Sequence, residues 1–229
     1  MFESTTPKSN GNRPMYKLSA KVLVVGDSGV GKSSLILRYV ENEFIEHHLE
    51  SIAIEVKQKS IELEGKTLEM ELWDTMGIER YRPIVESYFK ETQSIILVYA
   101  CDNRESFDNL EGWLKQIDQL AEKRACKMLI GNKYDSKDRT VSYDEGKKLA
   151  EAHRMDFFEV SAKENLHVDE AFRCLAGKIA EEFPIERYCP EEEESRRSRR
   201  HSSRLLRKKS QKEREKGFDC WLRRMCFLG

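Results

Sequence analysis

Gly-Asp-Ser-Gly-Val-Gly-Lys-Ser, residues 26–33, is the stretch that decides the fold of this chain. It fits the pattern G-x-x-x-x-G-K-[ST] in full, after an apolar run at residues 18–25 and before a helix-like run at residues 32–42. The motif is therefore predicted to join a strand to a helix. Its glycines suit a loop that wraps phosphates, because a Cβ would hold the backbone N–H groups away from the anion. An ordinary glycine-rich turn is the alternative, which the joint presence of the spacing, Lys32 and Ser33 disfavours.

The chemistry expected of this loop is the binding of a polyphosphate. Lys32 would place a point charge on the β- and γ-phosphates, while the Ser33 hydroxyl would bind Mg²⁺. The N-terminus of the following helix adds a favourable potential for an anion. These groups alone leave kinases, ATPases and GTPases open.

Alternating strands and helices along the rest of the chain predict an α/β fold. Apolar or alternating runs predict strands at residues 52–63, 68–73, 95–99, 127–130 and 157–160. Runs of helical period predict helices at residues 107–120, 143–153 and 168–183. The connection at residues 64–66 predicts a hairpin. We expect a mostly parallel central sheet flanked by helices, with ligands at the carboxyl ends of its strands.

The composition divides the chain into an N-terminal extension at residues 1–15, one domain at residues 16–183 and a tail at residues 184–229. From Ser195 onward thirteen Lys or Arg residues face three acidic ones, a net charge of +10, whereas the formal charge of the whole chain is −1. The tail is nearly devoid of apolar residues over most of its length and is expected to be disordered. Its charge favours an anionic partner such as lipid headgroups or nucleic acid, with a solvated spacer as the alternative.

The cysteines and apolar segments indicate a cytoplasmic chain. No apolar run near the first residue resembles a secretory signal, and none elsewhere reaches membrane-spanning length. The six cysteines lack paired metal-ligand spacing. Cys101, Cys126 and Cys174 are interpreted as small core residues.

Residues 132–135, Asn-Lys-Tyr-Asp, match an Asn-Lys-x-Asp signature directly after a predicted strand. In this stretch the sequence resembles the Ras superfamily of small GTPases, with its Ras-like P-loop NTPase fold. The resemblance implies that the Asp135 carboxylate accepts both N–H groups on the Watson–Crick side of guanine, a pairing that adenine cannot reproduce. It implies GTP or GDP as the ligand, with Asn132 tying the loops together and Lys133 covering the base. It assigns a backbone N–H for the guanine carbonyl oxygen to the segment Ser161, Ala162 and Lys163.

The resemblance also implies contacts from two switch segments. Asp74 would hold Mg²⁺ through water, and the Gly77 N–H would meet the γ-phosphate. Ser51 stands where the family has a Mg²⁺-binding Thr, and Phe44 stands where an aromatic residue covers guanine. The residues assigned to the phosphates are Asp27, Ser28, Gly29, Val30, Gly31, Lys32, Ser33 and Ser34.

Switch II departs from the family pattern at two positions. Met76 replaces the usual Ala, and Ile78 replaces the Gln that orients the attacking water. The isoleucine side chain has no donor or acceptor with which to position that water. Of the assigned catalytic positions, Lys32, Gly77 and Ile78, the last is therefore expected to make GTP hydrolysis slow. A non-catalytic, nucleotide-dependent binding module is the competing interpretation.

Residues 79–84, 95–99 and 109–114 resemble the Rab branch, whereas residues 52–56 match it only loosely and leave a divergent Ras-like protein open. The Rab resemblance implies a monomeric molecular switch in vesicle trafficking. Its expected partners are effectors, exchange factors and GTPase-activating proteins, which would bind the switch segments.

The end of the tail predicts attachment to the cytosolic face of a membrane. Cys226-Phe227-Leu228-Gly229 has the layout of a C-a-a-X prenylation box with an unusual terminal Gly, and Cys220 is a candidate for palmitoylation. An apolar stripe suits an interfacial helix, and it comprises Phe218, Trp221, Leu222 and Met225. Nucleic acid is the disfavoured partner, because most of the basic run lacks interleaved aromatic residues.

Overall fold

The computed structural model describes residues 15–46, 55–63, 66–75, 88–90, 92–183 and 187–188. The strands are β1 Met15–Val25, β2 Glu55–Leu63, β3 Lys66–Asp74, β4 Ser94–Ala100, β5 Cys126–Asn132, β6 Asp156–Glu159 and β7 Arg187–Tyr188. The helices are α1 Lys32–Glu41, α2 Arg104–Asp108, α3 Leu110–Leu120, α4 Tyr143–Ala152 and α5 Val168–Glu182. Strands β2–β6 and all five helices belong to one unit, Tyr16–Glu186, and β7 belongs to a second unit, Met1–Met15 with Arg187–Gly229.

The sheet follows the order β2-β3-β1-β4-β5-β6. Strand β2 pairs antiparallel with β3, and every other neighbouring pair in this order is parallel. After β1 the chain first builds β2 and β3 on one side of β1, and then β4 on the other. The strand order therefore reverses at the carboxyl ends of β1 and β4, where open α/β sheets bind their ligands.

Two apolar cores cover the two faces of the sheet. On one face, alternate residues of β1 such as Val22 and Val24 pack with residues of α1 and α5. On the other face, Leu23 and Val25 pack with α3 and its neighbours. Strand β4 is buried along its whole length, as expected for a central strand covered on both sides.

The predicted α/β fold is confirmed, with differences at the element boundaries. Strands β2 and β3 form the expected hairpin, since Leu63 pairs with Lys66. The helical stretch predicted at residues 107–120 is in fact two helices, α2 and α3, which meet at Asn109. The Asn103 side chain accepts a hydrogen bond from the Ser106 N–H, so helical structure begins three residues before the predicted stretch.

The three cysteines of the described core behave differently. Cys101 and Cys126 are buried, whereas Cys174 is only half-buried. Burial and the nearby Glu159 carboxylate raise the pKa of the Cys101 thiol to about 12. Because the thiolate is the reactive form, Cys101 is expected to be chemically inert.

The buried ring of Phe172, on α5, provides a test of how much the core contributes to stability. The Phe172 ring is fully buried and stacks on the Tyr39 ring of α1 with centroids 3.8 Å apart. Phe172→Ala should lower the free energy of unfolding by about 3–5 kcal/mol, because it removes this contact and leaves a cavity. Urea denaturation would measure the loss. Leu166→Ala, at a 41% exposed side chain, is the control and should cost under about 1 kcal/mol. Equal losses in the two variants would contradict the prediction.

Candidate functional site

The glycine-rich loop lies at the carboxyl end of β1, where the strand order reverses. Gly26, Gly29 and Gly31 all have positive φ values, of 139°, 76° and 91°. A Cβ on Gly26 would lie 2.1 Å from the Val98 carbonyl oxygen of β4, and one on Gly31 would lie 2.4 Å from the Asn132 side-chain nitrogen. The requirement for glycine at residues 26 and 31 therefore arises from neighbouring protein atoms as well as from the backbone conformation.

Helix α1 begins directly after this loop. Its N-cap is Gly31, so no side chain caps its first turn. Lys32 is buried, and its Nζ donates to the carbonyl oxygens of Gly26 at 2.7 Å and Asp27 at 2.6 Å. Ser33 and Ser34 are half-buried in the same first turn. Backbone N–H groups and a lysine ammonium are thus gathered at one helix N-terminus, an arrangement suited to an anion.

Asn132, the last residue of β5, connects this loop to a second one. Its Nδ2 donates to the Val30 carbonyl oxygen at 2.9 Å, and its Oδ1 accepts from the Ala162 N–H at 3.2 Å. The side chain is 2% exposed. The Asn132 amide therefore joins Val30, which lies 102 positions before it in the chain, to Ala162, which lies 30 positions after it.

The remaining residues of the Asn-Lys-x-Asp motif lie beside the segment Ser161–Lys163. The Ser161 hydroxyl donates to Asp135 Oδ1 at 2.5 Å, which orients an otherwise exposed carboxylate. The Tyr134 N–H donates to the Val160 carbonyl oxygen at 3.0 Å. Lys133 has a φ of 62°, and its ammonium lies 3.5 Å from the Asp102 carboxylate. The structure thus joins Asp135 to Ser161 by a hydrogen bond, and Asn132 of the same motif contacts the neighbouring Ala162.

Arg38 of α1 is a member of this site that the sequence did not reveal. Its Nε donates to the Ala162 carbonyl oxygen at 2.8 Å, and its Nη2 donates to the Lys163 carbonyl oxygen at 3.1 Å. The Ala162 residue is therefore held at its N–H by Asn132 and at its carbonyl by Arg38. Only the position of Arg38 on the helix that follows the loop could have signalled this role.

Asn109 and Trp113 are two further residues that sequence reasoning missed as site residues. The Asn109 Nδ2 donates to Asp27 Oδ2 at 2.7 Å, and the Trp113 Nε1 donates to Asp27 Oδ1 at 2.8 Å. Asn109 precedes α3 and Trp113 lies on it, so this helix holds a side chain of the glycine-rich loop. Sequence analysis placed residues 109–114 in a predicted helix and noted their resemblance to the Rab branch, but it assigned them no role in the site.

Asp74 lies at the carboxyl edge of the sheet, close to the start of the glycine-rich loop. It is the last residue of β3 and pairs with Val24 of β1, two residues before the loop, and it is 4% exposed. The adjacent Thr75 hydroxyl donates to the Val24 carbonyl oxygen at 2.5 Å, which fixes the end of the strand. Mg²⁺ prefers oxygen ligands, often one or two side-chain groups with water and phosphate oxygens. A Ser33 hydroxyl and an Asp74 carboxylate beside a phosphate loop fit that preference.

A partly buried ion pair connects the loop that contains Asp135 to the loop that contains Ser161. The Arg139 guanidinium donates to both carboxylate oxygens of Glu159, at 2.9 and 2.7 Å. This hydrogen bonding, ahead of all other effects, raises the pKa of Arg139. Arg139 follows Asp135 by four residues and Glu159 precedes Ser161 by two, so the pair ties the two loops to each other.

Phe44 is half-buried and packs against the core cluster that contains α1. Several predicted site residues lie outside the described residues, namely Ser51, Met76, Gly77, Ile78, Cys220 and Cys226. Within the described ranges, no group of three or more His, Cys, Asp or Glu side chains could hold a metal ion. None of the helices that the structure describes is long and apolar enough to cross a membrane.

Comparison with known proteins agrees with this geometry. The sequence profile of the Ras family matches residues 21–181. The Ras-related protein RIC1 of Oryza sativa is 42% identical over 167 residues, which cover 72% of this chain and 83% of the relative. The GTP-binding protein YPT1 of Saccharomyces cerevisiae is 41% identical over 167 residues, 72% of this chain and 81% of the relative.

A third relative, the Ras-related protein Rab-10 of Caenorhabditis elegans, is 43% identical over 173 residues, which cover 75% of this chain and 86% of the relative. The match with each relative spans most of that protein, and the family match at residues 21–181 includes both loops of the site. The chain therefore belongs to the Ras family of small GTPases, in which it resembles the Rab and Ypt proteins.

Proposed function

We propose that this chain is a Rab-like switch that binds GTP and GDP with Mg²⁺, hydrolyses GTP slowly and recruits effectors at a membrane in vesicle trafficking. The observation that carries the proposal is the Asn132 side chain, which joins the glycine-rich loop to the segment that holds Asp135. A phosphate site and a base site joined in this way suit one nucleotide that spans both loops.

In this proposal the glycine-rich loop binds the phosphates through its backbone N–H groups, and Lys32 contacts the β- and γ-phosphates. Asp135 accepts the two N–H groups of guanine, with Ser161 orienting it. A backbone N–H of the segment Ser161–Lys163, which Asn132 holds beside the glycine-rich loop, donates to the guanine carbonyl oxygen. Lys133 and Phe44 cover the base.

Mg²⁺ would be held by Ser33, by Asp74 through water, and by Ser51 in the GTP-bound form. When bound, it would neutralise charge on the β- and γ-phosphates. The Gly77 N–H would contact the γ-phosphate, and the contacts at Ser51 and Gly77 would order the switch segments for effectors. Two exposed apolar side chains, Ile45 and Val56, flank residues 47–54 and support an interaction surface there.

The tail is proposed to hold the protein on the cytosolic face of a membrane. Its basic run would be attracted to anionic lipid, and lipidation of Cys226 or Cys220 would supply the second signal that stable anchoring requires. The nucleotide-dependent surface would then act at that membrane.

A second candidate function is a GTP-binding adaptor that does not hydrolyse its nucleotide, either in trafficking or in divergent Ras-like signalling. The substitutions at residues 76 and 78 favour it, because Met76 departs from the usual Ala and Ile78 has no donor or acceptor to orient the attacking water. In that case the chain would remain loaded and would be released from partners by nucleotide exchange alone.

Base recognition can be tested at Asp135. Asp135→Ala should weaken GDP binding about a hundredfold or more, because two hydrogen bonds to a charged acceptor are lost. Titration with a fluorescent GDP analogue would measure the change. Asp138→Ala makes the same change of charge in the same loop and should leave GDP affinity within about twofold of the original protein. Wild-type protein that bound ADP as well as GDP would contradict the proposed function.

Hydrolysis can be tested at Ile78. Ile78→Gln should raise the single-turnover rate of GTP hydrolysis by up to about a hundredfold, since one preorganised group is typically worth about that much. Tyr143→Gln introduces the same side chain at a 50% exposed position and should leave the rate unchanged. A wild-type rate typical of the family, unaffected by Ile78→Gln, would rule out slow hydrolysis from this cause. Absence of turnover in both proteins would instead favour the adaptor.

Membrane attachment can be tested with the tail cysteines. Replacing both Cys220 and Cys226 with Ser should move the protein expressed in eukaryotic cells from the membrane to the soluble fraction, because a basic run alone binds lipid reversibly. Intact-mass measurement of the wild-type protein should show a lipid adduct. Cys174→Ser, in the folded domain, is the control and should remain on the membrane. An unmodified wild-type mass would contradict lipidation.

A further inference from the structure

The carboxylate of Asp27 is turned toward helix α3 at both of its oxygens. Oδ2 accepts from the Asn109 amide at 2.7 Å, and Oδ1 accepts from the Trp113 indole at 2.8 Å. The two donors lie four residues apart, so they project from the same side of the helix. Together they fix the direction of a side chain that belongs to the glycine-rich loop.

The use of Asn109 here is unusual for its place in the chain. Asn is among the preferred N-cap residues because its side chain can accept from the first backbone N–H groups of a helix. Asn109 precedes the first residue of α3, yet its side chain makes no capping hydrogen bond there. It reaches instead to a residue 82 positions away. Trp113 is 8% exposed and packs in the second core cluster, which gives the indole donor a fixed position.

The charge of Asp27 conflicts with the proposed ligand of its loop. The loop binds a polyphosphate in the proposed function, and a carboxylate near phosphates is repelled by them. The backbone carbonyl of Asp27 accepts from Lys32 at 2.6 Å, so a carboxylate free to rotate would lie near that ammonium and compete with phosphate for it. Asn109 and Trp113 are neutral donors. They satisfy the carboxylate and hold it toward α3 without adding a charge.

We propose that Asn109 and Trp113 are positioning residues that hold the Asp27 carboxylate against α3 and keep its negative charge away from the phosphates and from Lys32. This inference rests on the proposed function, since it concerns the same phosphate site. It gives α3 a role in nucleotide retention although the helix does not belong to the glycine-rich loop or to the base-binding segments.

The test is the rate at which a fluorescent GDP analogue dissociates from the full chain in excess GDP and Mg²⁺. Trp113→Phe keeps the aromatic ring and removes the indole N–H, and it should speed dissociation about tenfold, the usual effect of losing a hydrogen bond to a charged group. Asn109→Ser retains a capping residue and removes the amide, and it should also speed dissociation. It serves as the second variant if Trp113→Phe does not fold.

The decisive control repeats each change in an Asp27→Asn background, which removes the charge. If a freed carboxylate causes the faster release, Trp113→Phe and Asn109→Ser should each have less than about a twofold effect in that background. A tenfold effect that persists there would overturn the inference, because the two residues would then act only through packing. Wild-type rates in both single variants would overturn it as well. A wild-type chain that failed to bind GDP would refute the proposed function, and this inference with it.

Discussion

The hydrogen bonds of the Asn132 amide are the constraint on which the site depends. One side chain must donate to the Val30 carbonyl and accept from the Ala162 N–H while buried, and a neutral primary amide carries both functions. An aspartate could only accept, and an apolar residue of similar size would leave buried polar groups unpaired. Because β5 ends at Asn132, the sheet itself fixes the point at which the two loops meet.

Two glycines of the glycine-rich loop are required by the protein atoms that surround them, whether or not a ligand is bound. A Cβ at residue 26 would collide with the carbonyl of a central strand, which cannot move without disturbing the sheet. At residue 31 it would collide with the Asn132 amide. Among the described residues, apart from its two chain neighbours, none has an atom within 4 Å of the Cβ position of Gly29, so its positive φ is what favours glycine there. The spacing of the motif is thus set partly by packing behind the loop.

The sequence predicted the strands, the helices and the two motifs of the candidate site. It did not predict the side-chain contacts of Arg38 and Trp113 that connect helices to these motifs. Periodicity and the two motifs correctly predicted the α/β fold and the β2–β3 hairpin. The family resemblance assigned Asp135 and Ser161 to one site, and in the structure a hydrogen bond joins them. Arg38 and Trp113 were missed because periodicity indicates which face of a helix is buried and not which distant atom its polar groups reach. Their partners lie 86 or more positions away in the chain. The division at Asn109 was missed because Phe107 and Leu110, on either side of it, keep a helical spacing.

Helix α1 connects the two halves of the site at a fixed spacing. Lys32 lies in its first turn and Arg38 six residues later, so the rise of an α-helix places the two positions about 9 Å apart along the axis. Lys32 donates to Gly26 of the glycine-rich loop, and Arg38 donates to Ala162 of the segment that the proposed function places at the base. The helix therefore fixes the distance between the two loops that it contacts. Insertion or deletion of one residue between Lys32 and Arg38 would change their separation along the axis by about 1.5 Å and would rotate one side chain relative to the other by roughly 100°.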